Sequence, residues 1–390
     1  MAIETDAGNP RPRAAAAFWM VVVVLLLGTE LFFHLRLPDW PYYRGWNATH
    51  QDSGPYAPCG APGPFFPDVR YEGACYGDLA FLTDLPAFRS PRPQVFTTDG
   101  YGYRNTPGSE LGPWTVVAFG DSVMAGSGIS DGQTLPARLA ERLGTVVYNA
   151  GGADASIALA ERRWIETPPR VVIVESVERF LLADDATERL ASLVPGSGPA
   201  AAPASGPPER RARGRCSRAY SAATHFGSLA YADLSYRLFG ELTTRACIVG
   251  TDERTLFSIE ELTHAAAPPA LVGAERIADA VAFARDALRA HGIELVFLIS
   301  PDKATLHRDL LPTDLARSLR PAGEHVRALQ SLLAERGVPY ADLLEPFQAA
   351  LAADPGAALF WPDDTHWTPR GAALAAAVVA ERIEPLLAAR

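Results

Sequence analysis

The stretch Trp114–Phe119 (WTVVAF), followed directly by Gly120-Asp121-Ser122, decides the fold. A short apolar run rich in β-branched and aromatic residues is typical of a strand buried on both faces. A glycine after such a strand permits a tight turn into a helix, which leaves the serine at the carboxyl edge of the sheet, where open α/β sheets bind ligands. Ser122 is therefore a candidate nucleophile, although Asp121 and Ser122 would also serve simply as helix caps.

Further strand-like runs alternate along the chain with segments that have apolar residues at helical spacing. The predicted strands are Val146–Tyr148, Arg170–Glu175, Glu294–Ser300 and Pro339–Leu343, and the predicted helices are Leu135–Leu143, Ile277–Ala290, Arg327–Arg336 and Arg370–Ala389. This alternation predicts an α/β fold, with a central parallel sheet covered by helices on both faces.

A second candidate for chemistry stands just before the last predicted helix, in Asp363-Asp364-Thr365-His366. A serine nucleophile needs a base, and the base needs a carboxylate that orients it. His366 follows two aspartates at two and three positions, and either of them can accept its Nδ1 proton while Nε2 faces Ser122. The sequence thus predicts a Ser–His–Asp triad in which the acid is Asp364 or Asp363.

The N-terminal region predicts a membrane anchor. An apolar run begins at Ala14, is preceded by Arg11 and Arg13, and is near the length of about 20 residues that spans a bilayer. Because no small-residue cleavage site follows, an uncleaved anchor is favoured over a removed signal peptide, and a buried soluble helix is a further alternative. The positive-inside rule then places residues 1–13 in the cytoplasm, 14–36 in the membrane and the rest in the periplasm or another extracytoplasmic space.

Beyond the anchor, residues 37–96 are rich in Pro, Gly and Tyr and are expected to be irregular. Residues 97–390 are expected to form the catalytic domain, with an insertion at about 186–270 where the alternating pattern is broken by a Pro/Ala/Gly-rich segment.

The chain has four cysteines, which in an oxidising compartment suggest two disulfides. Of the three possible pairings, proximity in sequence favours Cys59–Cys75 with Cys216–Cys247. No CxxC spacing supports a zinc site, and no cofactor motif is found. A net charge of −10 argues against nucleic acid as a partner.

The GDS turn after the first strand of the sheet, together with an aspartate–histidine motif before the last helix, resembles the SGNH (GDSL) hydrolase superfamily. Such a resemblance implies a flavodoxin-like three-layer sandwich. The segments SPDKATLHRDLLP (residues 300–312) and FWPDDTHWTPRGAAL (residues 360–374) are similar to those of the AlgX/AlgJ-type alginate O-acetylation proteins. Their Asp-Thr-His-Trp string implies Asp364 as the acid, whereas the general Asp-x-x-His spacing of the superfamily implies Asp363.

The same resemblance implies an oxyanion hole. Gly151 or Gly152 matches the glycine whose N–H joins the hole in the superfamily, with Gly151 preferred. The asparagine of the third block is missing, since VIVESVERF (residues 172–180) stands in its place. Arg179 can supply a charged donor oriented by Glu178, or the two can form an ordinary salt bridge.

The resemblance and the anchor together imply a membrane-anchored SGNH-type O-acetyltransferase that acts on a polysaccharide or envelope glycan through an acyl-serine. A multi-spanning membrane acyltransferase is the expected acyl donor. The alternatives are an acetyl esterase of the same fold and a non-catalytic glycan-binding scaffold of an export complex. Trp361 and Trp367, beside His366, can stack on a sugar or pack against the last helix.

Overall fold

The computed structural model describes residues 11–36, 63–152, 163–180, 222–268 and 271–388. Its strands are β1 (Arg70–Cys75), β2 (Arg92–Thr97), β3 (Val116–Gly120), β4 (Val147–Gly151), β5 (Val171–Val177), β6 (Cys247–Val249), β7 (Leu256–Ser258), β8 (Glu294–Ser300) and β9 (Tyr340–Asp342). Its α-helices span Arg11–Arg36, Asp78–Thr83, Ser122–Ala125, Leu135–Leu143, Arg163–Glu166, Ala222–Phe239, Ile259–Ala266, Leu271–Arg289, Lys303–Leu306, Thr313–Ser318, Glu324–Glu335, Leu344–Ala353 and Pro369–Ala388. Short 3₁₀ turns lie at Pro86–Phe88, Ser109–Leu111, Asp131–Gln133, Glu178–Phe180 and Arg308–Leu310.

A five-stranded sheet in the order β4-β3-β5-β8-β9 forms the centre of the molecule. All of its neighbouring strands are parallel. The predicted α/β class and central parallel sheet are therefore confirmed. The carboxyl ends of the strands meet at one edge of the sheet, and the helix Ser122–Ala125 begins there directly after β3.

Helices cover both faces of this sheet. Successive side chains of a strand point to opposite faces of the sheet, and the side chains of β3 are buried on both faces. Phe119 on one face lies in a core cluster with Val281 and Leu329, which belong to the helices Leu271–Arg289 and Glu324–Glu335. Ala118 on the other face lies with Leu139 and Ala376, from Leu135–Leu143 and Pro369–Ala388. The result is a sandwich of three layers.

The segment predicted to be irregular contains regular structure in its second half. β1 and β2 pair antiparallel, with Arg70 opposite Thr97, and the helix Asp78–Thr83 lies between them in sequence. Sequence reasoning missed these strands because Pro and Gly interrupt the apolar pattern. Residues 37–62 lie outside the described residues.

The predicted insertion is only partly described, since residues 181–221 and 269–270 are not among the described residues. Its described part contains the helix Ala222–Phe239, the antiparallel pair β6–β7 and the helix Ile259–Ala266. The N–H of Leu256 in β7 donates to the carbonyl of Pro362 at 2.8 Å. This part of the insertion therefore packs directly against the loop that carries His366.

The predicted anchor falls on the helix Arg11–Arg36. Within the part of the chain that is described, no helix reaches the combined length and mean hydropathy of a candidate membrane span.

Neither predicted disulfide is found in the described structure. Cys75 and Cys247 are both free, and both are buried. Their predicted partners, Cys59 and Cys216, lie outside the described residues. Burial raises the pKa of each described thiol to about 11.

Candidate active site

Ser122 and His366 come together at the carboxyl edge of the sheet. The Oγ of Ser122 lies 2.7 Å from the Nε2 of His366, although the two residues are 244 positions apart in sequence. Ser122 is half-buried and His366 is buried. This is the direct hydrogen-bond reach that proton transfer between a serine and its base requires.

The structure distinguishes the two candidate acids. The Oδ1 of Asp364 lies 2.5 Å from the Nδ1 of His366, so Asp364 completes a hydrogen-bonded chain with His366 and Ser122. Asp363 instead faces away from the imidazole. Its Oδ2 accepts the N–H groups of Gly77 and Ser90, each at 2.8 Å. Asp363 thus anchors the loop to the segment between β1 and β2.

The guanidinium of Arg92, which the sequence patterns did not predict to be part of the site, contacts both aspartates. Arg92, in β2, places Nη1 2.8 Å from Asp363 Oδ1 and Nη2 2.5 Å from Asp364 Oδ2. Its Nε donates to the carbonyl of Gly128 at 3.0 Å, just after the nucleophile helix. Arg92 therefore joins the loop of the acid and base to the loop that follows Ser122.

The groups around Asp364 shift its pKa in opposite directions. Burial raises the pKa of Asp364, and the nearby Asp78 carboxylate raises it further, whereas His366 and Arg92 act in the opposite direction. Asp78 itself accepts the N–H and the hydroxyl of Thr365 at 2.9 and 2.6 Å. Arg92 therefore offsets part of the negative charge that Asp78 and Asp364 bring to this site.

Lys303 binds the backbone of the loop that carries Asp364 and His366. Its buried Nζ donates to the carbonyl of Asp364 at 2.7 Å, and to those of Trp361 and Pro362 at 3.3 and 3.4 Å. Burial lowers the pKa of this ammonium. Lys303 thus has a structural role, because the contacts described for it are with backbone carbonyls and not with the side chains of Ser122 or His366.

Asp78, Asp364 and His366 also offer three ligand atoms within 4.8 Å of one another, which is the spacing of a metal site. Their hydrogen bonds already use these atoms. Both nitrogens of His366 face Asp364 and Ser122, and the Asp78 carboxylate faces Thr365. The arrangement therefore fits acid–base chemistry better than metal binding.

Asp121 and Gly120 shape the nucleophile turn. The Oδ1 of Asp121 accepts the N–H of Val123 at 2.7 Å, so Asp121 caps the short helix, as one interpretation of the GDS motif expected. At Gly120, a Cβ would lie 2.3 Å from the Oε2 of Glu175, so only glycine fits there. Capping by Asp121 and the contact between Ser122 and His366 therefore coexist.

The two glycines predicted for the oxyanion hole have their N–H groups engaged elsewhere. Gly151 donates to the Oδ1 of Asn149 at 2.9 Å. Gly152 donates to the carbonyls of Gly120 and Asp121 at 2.9 and 3.0 Å. Neither N–H is therefore free for an oxyanion in this structure, and that prediction needs correction.

Gly151 has a packing role instead. A Cβ at this position would lie 2.4 Å from the backbone nitrogen of Ala125 and 2.9 Å from the Cβ of Met124. The absence of a side chain lets the nucleophile helix lie directly on the end of β4.

Arg179 is also not oriented as predicted. Its Nη1 lies 2.6 Å from Asp302 Oδ1 and 3.7 Å from Glu261 Oε1. Glu178 instead accepts the N–H of Asp302 at 3.0 Å. The guanidinium is held by carboxylates other than Glu178, so both the oriented donor and the Arg179–Glu178 salt bridge are wrong.

The tryptophans beside His366 pack within the protein. Trp367 is buried, with its ring centroid 5.6 Å from that of Phe347. Trp361 is half-buried, and the Arg92 guanidinium lies over its ring at 4.3 Å from the centroid. The contacts of both rings are therefore packing contacts within the protein, which is the second of the two alternatives given for them.

The carboxyl-terminal part of this chain is similar to a known protein family. Residues 248–390 match the family model described as "SGNH hydrolase-like domain, acetyltransferase AlgX". The matched stretch contains Asp364 and His366 but begins after Ser122. A solved protein from Slackia heliotrinireducens, provisionally assigned to the SGNH hydrolases, shares 16% identity with a TM-score of 0.34, and covers 70% of this chain and 100% of its own.

Curated relatives agree with the family model. A protein named "Probable alginate O-acetylase AlgJ" from Azotobacter vinelandii is 34% identical over 166 residues, or 41% of this chain and 39% of the relative. A protein of the same name from Pseudomonas putida is 32% identical over 160 residues, or 40% and 38%. The chain thus spans about two fifths of the length of these relatives. Residues 248–390 are therefore similar to the SGNH hydrolase-like domain of AlgX, which confirms the resemblance identified in the sequence.

Proposed function

We propose that this protein is a serine-dependent O-acetyltransferase that acts on a polysaccharide. The observation that carries the proposal is the chain of hydrogen bonds Ser122–His366–Asp364, with distances of 2.7 and 2.5 Å. It lies at the carboxyl edge of a parallel sheet, where such folds bind ligands. The alginate O-acetylase name of the relatives supports a polysaccharide acceptor.

In the first half of the reaction, Ser122 Oγ attacks the carbonyl carbon of an acetyl ester while His366 Nε2 takes the serine proton. The tetrahedral intermediate collapses, and the leaving alcohol departs with the proton that His366 returns. Asp364, on the Nδ1 side, fixes the imidazole tautomer and stabilises the imidazolium. In the second half, a sugar hydroxyl loses its proton to His366 Nε2 and attacks the acetyl-serine carbonyl; the bond to Ser122 Oγ then breaks as His366 returns the proton to that oxygen, which gives the acetylated sugar and free Ser122.

The developing oxyanion needs donors in this mechanism. The backbone N–H of Ser122 stands at the start of its helix and has no hydrogen-bond partner among the described residues. It is the donor that the nucleophile turn offers. The N–H groups of Gly151 and Gly152 are engaged by other acceptors in this structure.

We also propose that the chain is anchored in a membrane with its catalytic domain in the periplasm, next to a membrane acyltransferase that supplies acetyl groups. Support comes from the apolar side chains of the helix Arg11–Arg36: Phe18, Trp19 and Leu25 are each more than 60% exposed. On the helix Ala222–Phe239, Tyr231, Leu234 and Leu238 recur at i, i+3 and i+7 and are 67%, 57% and 64% exposed. Surfaces of this kind are typical of membrane or protein contact.

The catalytic proposal is tested with the full chain in detergent micelles. p-Nitrophenyl acetate should be hydrolysed with a burst of nitrophenol, and Ser122→Ala should abolish both the burst and an acetyl adduct on the peptide that contains residue 122. Addition of an oligosaccharide should yield acetylated sugar by mass spectrometry. Free acetate alone would identify an esterase, and an inactive parent protein would favour a glycan-binding scaffold.

The topology proposal is tested with reporter fusions in bacterial cells. Fusion of alkaline phosphatase after residue 388 should give an active enzyme, because that reporter folds only outside the cytoplasm. An active cytoplasmic reporter at the same position would contradict a periplasmic catalytic domain.

A further inference from the structure

A second group of buried charged side chains lies beneath the nucleophile turn. It contains four carboxyl groups and two cations, and all six side chains are at most 9% exposed: Glu175, Glu178, Glu261, Asp302, Arg179 and Lys303. Buried charges are costly unless they are paired. Because carboxyl groups outnumber cations in this cluster, at least one of them is expected to hold a proton.

The contacts indicate which carboxyl group that is. Asp302 pairs with Arg179 at 2.6 Å, and Glu261 lies 3.7 Å from the same guanidinium. Neither Glu175 nor Glu178 has a described cation within ion-pair distance, but the Arg308 charge favours the ionised form of Glu178, whereas the Asp121 carboxylate disfavours ionisation of Glu175. Its Oε2 accepts the N–H of Asp121 at 3.1 Å, and its Oε1 lies 2.7 Å from the hydroxyl of Ser300. A serine hydroxyl can donate or accept, so this contact also accommodates a protonated carboxyl group.

The Glu175 carboxyl group also supports the turn that presents Ser122. Its Oε2 binds the N–H of Asp121, the residue directly before the nucleophile, and occupies the space next to Gly120. β5 is the neighbour of β3 in the sheet, so the contact joins two adjacent strand ends. Removal of this acceptor would leave the Asp121 N–H without a partner below the turn.

We propose that Glu175, as a neutral carboxylic acid, is a positioning residue for the nucleophile. The inference rests on the proposed function of Ser122. Neutrality matters because the attack of Ser122 develops negative charge on the substrate oxygen. A carboxylate buried below the turn would oppose that charge in a medium of low effective dielectric constant. Burial and the nearby Asp121 carboxylate raise the pKa of Glu175 well above its ordinary value, although the hydrogen bonds from Ser300 and the Asp121 N–H and the charge of Arg179 act in the opposite direction.

The activity test compares Glu175→Gln with Glu175→Ala. Glutamine keeps the acceptor and the neutral charge, so kcat should stay within about threefold of the parent, whereas alanine should lower kcat on the order of 10- to 100-fold with little change in KM. The parent should lose activity at high pH as Glu175 ionises, and Glu175→Gln should lack this alkaline limb. An equal loss of kcat in the two variants, or an alkaline limb that is unchanged in Glu175→Gln, would overturn the proposal.

Infrared difference spectroscopy tests the proton without any turnover. The parent minus Glu175→Gln spectrum at neutral pH should contain the carbonyl stretch of a protonated carboxyl group. If that spectrum contains carboxylate bands and no such carbonyl stretch, Glu175 is ionised and the proposal is refuted. This comparison does not need the Glu175→Ala variant to fold. If the band is present but the parent transfers no acetyl group, then the proposed function fails and the protonation of Glu175 stands.

Discussion

Arg92 Nη2 lies 2.5 Å from Asp364 Oδ2, so the carboxylate that orients His366 holds a guanidinium on its other oxygen. The two residues are 272 positions apart in sequence. Arg92 also pairs with Asp363, and both aspartates are almost fully buried. Two adjacent buried carboxylates repel each other, and this guanidinium compensates that repulsion as well as fixing their geometry.

Replacement of Arg92 should therefore impair both stability and catalysis. Loss of one partner from a buried ion pair costs on the order of 3–5 kcal/mol, so Arg92→Met should lower the melting temperature strongly and kcat by at least about tenfold. Arg92→Lys should be intermediate, since an ammonium cannot hold both aspartates and Gly128 in the same planar arrangement. Thermal unfolding and steady-state kinetics measure the two effects.

Arg138→Met is the matched control. Arg138 pairs with Glu141 at 3.1 Å on an exposed helix surface, where ion pairs contribute little. It should leave both quantities nearly unchanged. If Arg92→Met behaved like Arg138→Met, the role assigned to the Arg92 guanidinium would be wrong.

Amide substitutions should separate the two aspartates. Asp364→Asn removes the acceptor charge facing His366 Nδ1 and should lower kcat by about 10³- to 10⁴-fold, as loss of the orienting carboxylate does in serine hydrolases. Asp363→Asn keeps only one acceptor oxygen, so it loses either the contact with the two backbone N–H groups or the contact with Arg92 Nη1, and should cost about 1–3 kcal/mol of stability, with a smaller effect on kcat. Kinetics and denaturant unfolding of both variants check this assignment. A larger fall in kcat for Asp363→Asn would reassign the acid.

Gly151→Ala should damage the site by crowding. The new Cβ would meet the backbone nitrogen of Ala125 at 2.4 Å, so the helix that begins at Ser122 must move. Overpacking of this kind costs about 1–3 kcal/mol, and kcat should fall as the Ser122–His366 distance changes. Gly132→Ala is the control, because a Cβ there meets nothing within 4 Å. Comparable losses in the two variants would argue against the packing role.

A pair of buried histidines should make the protein sensitive to acid. The rings of His264 and His325 lie 4.7 Å apart, and burial together with the charge of His325 lowers the pKa of His264 from 6.5 to about 4. Between these values the unfolded chain binds a proton that the folded protein does not. Stability from this group is therefore complete above pH 6.5 and is lost as the pH falls towards 4, by an amount on the order of 3 kcal/mol.

His264→Phe should remove that loss, because phenylalanine keeps the ring contact and cannot be protonated. The gain in unfolding free energy relative to the parent should grow as the pH falls from 6.5 to 4. Glu261 and Asp302, whose burial raises each pKa to about 7, act in the opposite sense over part of this range, but they are common to both proteins. Urea unfolding at several pH values gives the comparison, and a pH-independent difference would contradict it.

Local patterns in the sequence predicted most of the central sheet. Leu135–Leu143 and Glu294–Ser300 have the predicted bounds, and β3 begins two residues after the predicted start. These elements were predictable because buried parallel strands are continuous apolar runs and their covering helices have apolar residues at helical spacing. The strands β1 and β2 lack such a pattern, since they form an antiparallel pair that is partly exposed and contains Pro and Gly, and they were missed.

What the sequence determined by itself about the site is the chemical type of its reactive groups and their place in the fold. Ser122 follows a strand and His366 precedes the last helix, so both belong to chain segments whose position in a parallel sheet is set locally. Only the tertiary structure decided that Asp364 faces His366, that Arg92 holds both aspartates, and that the N–H groups of Gly151 and Gly152 are engaged. Those contacts depend on groups from distant parts of the chain, which supply the hydrogen bonds and fill the space around each side chain. The neighbouring residues in sequence do not specify which distant groups these are.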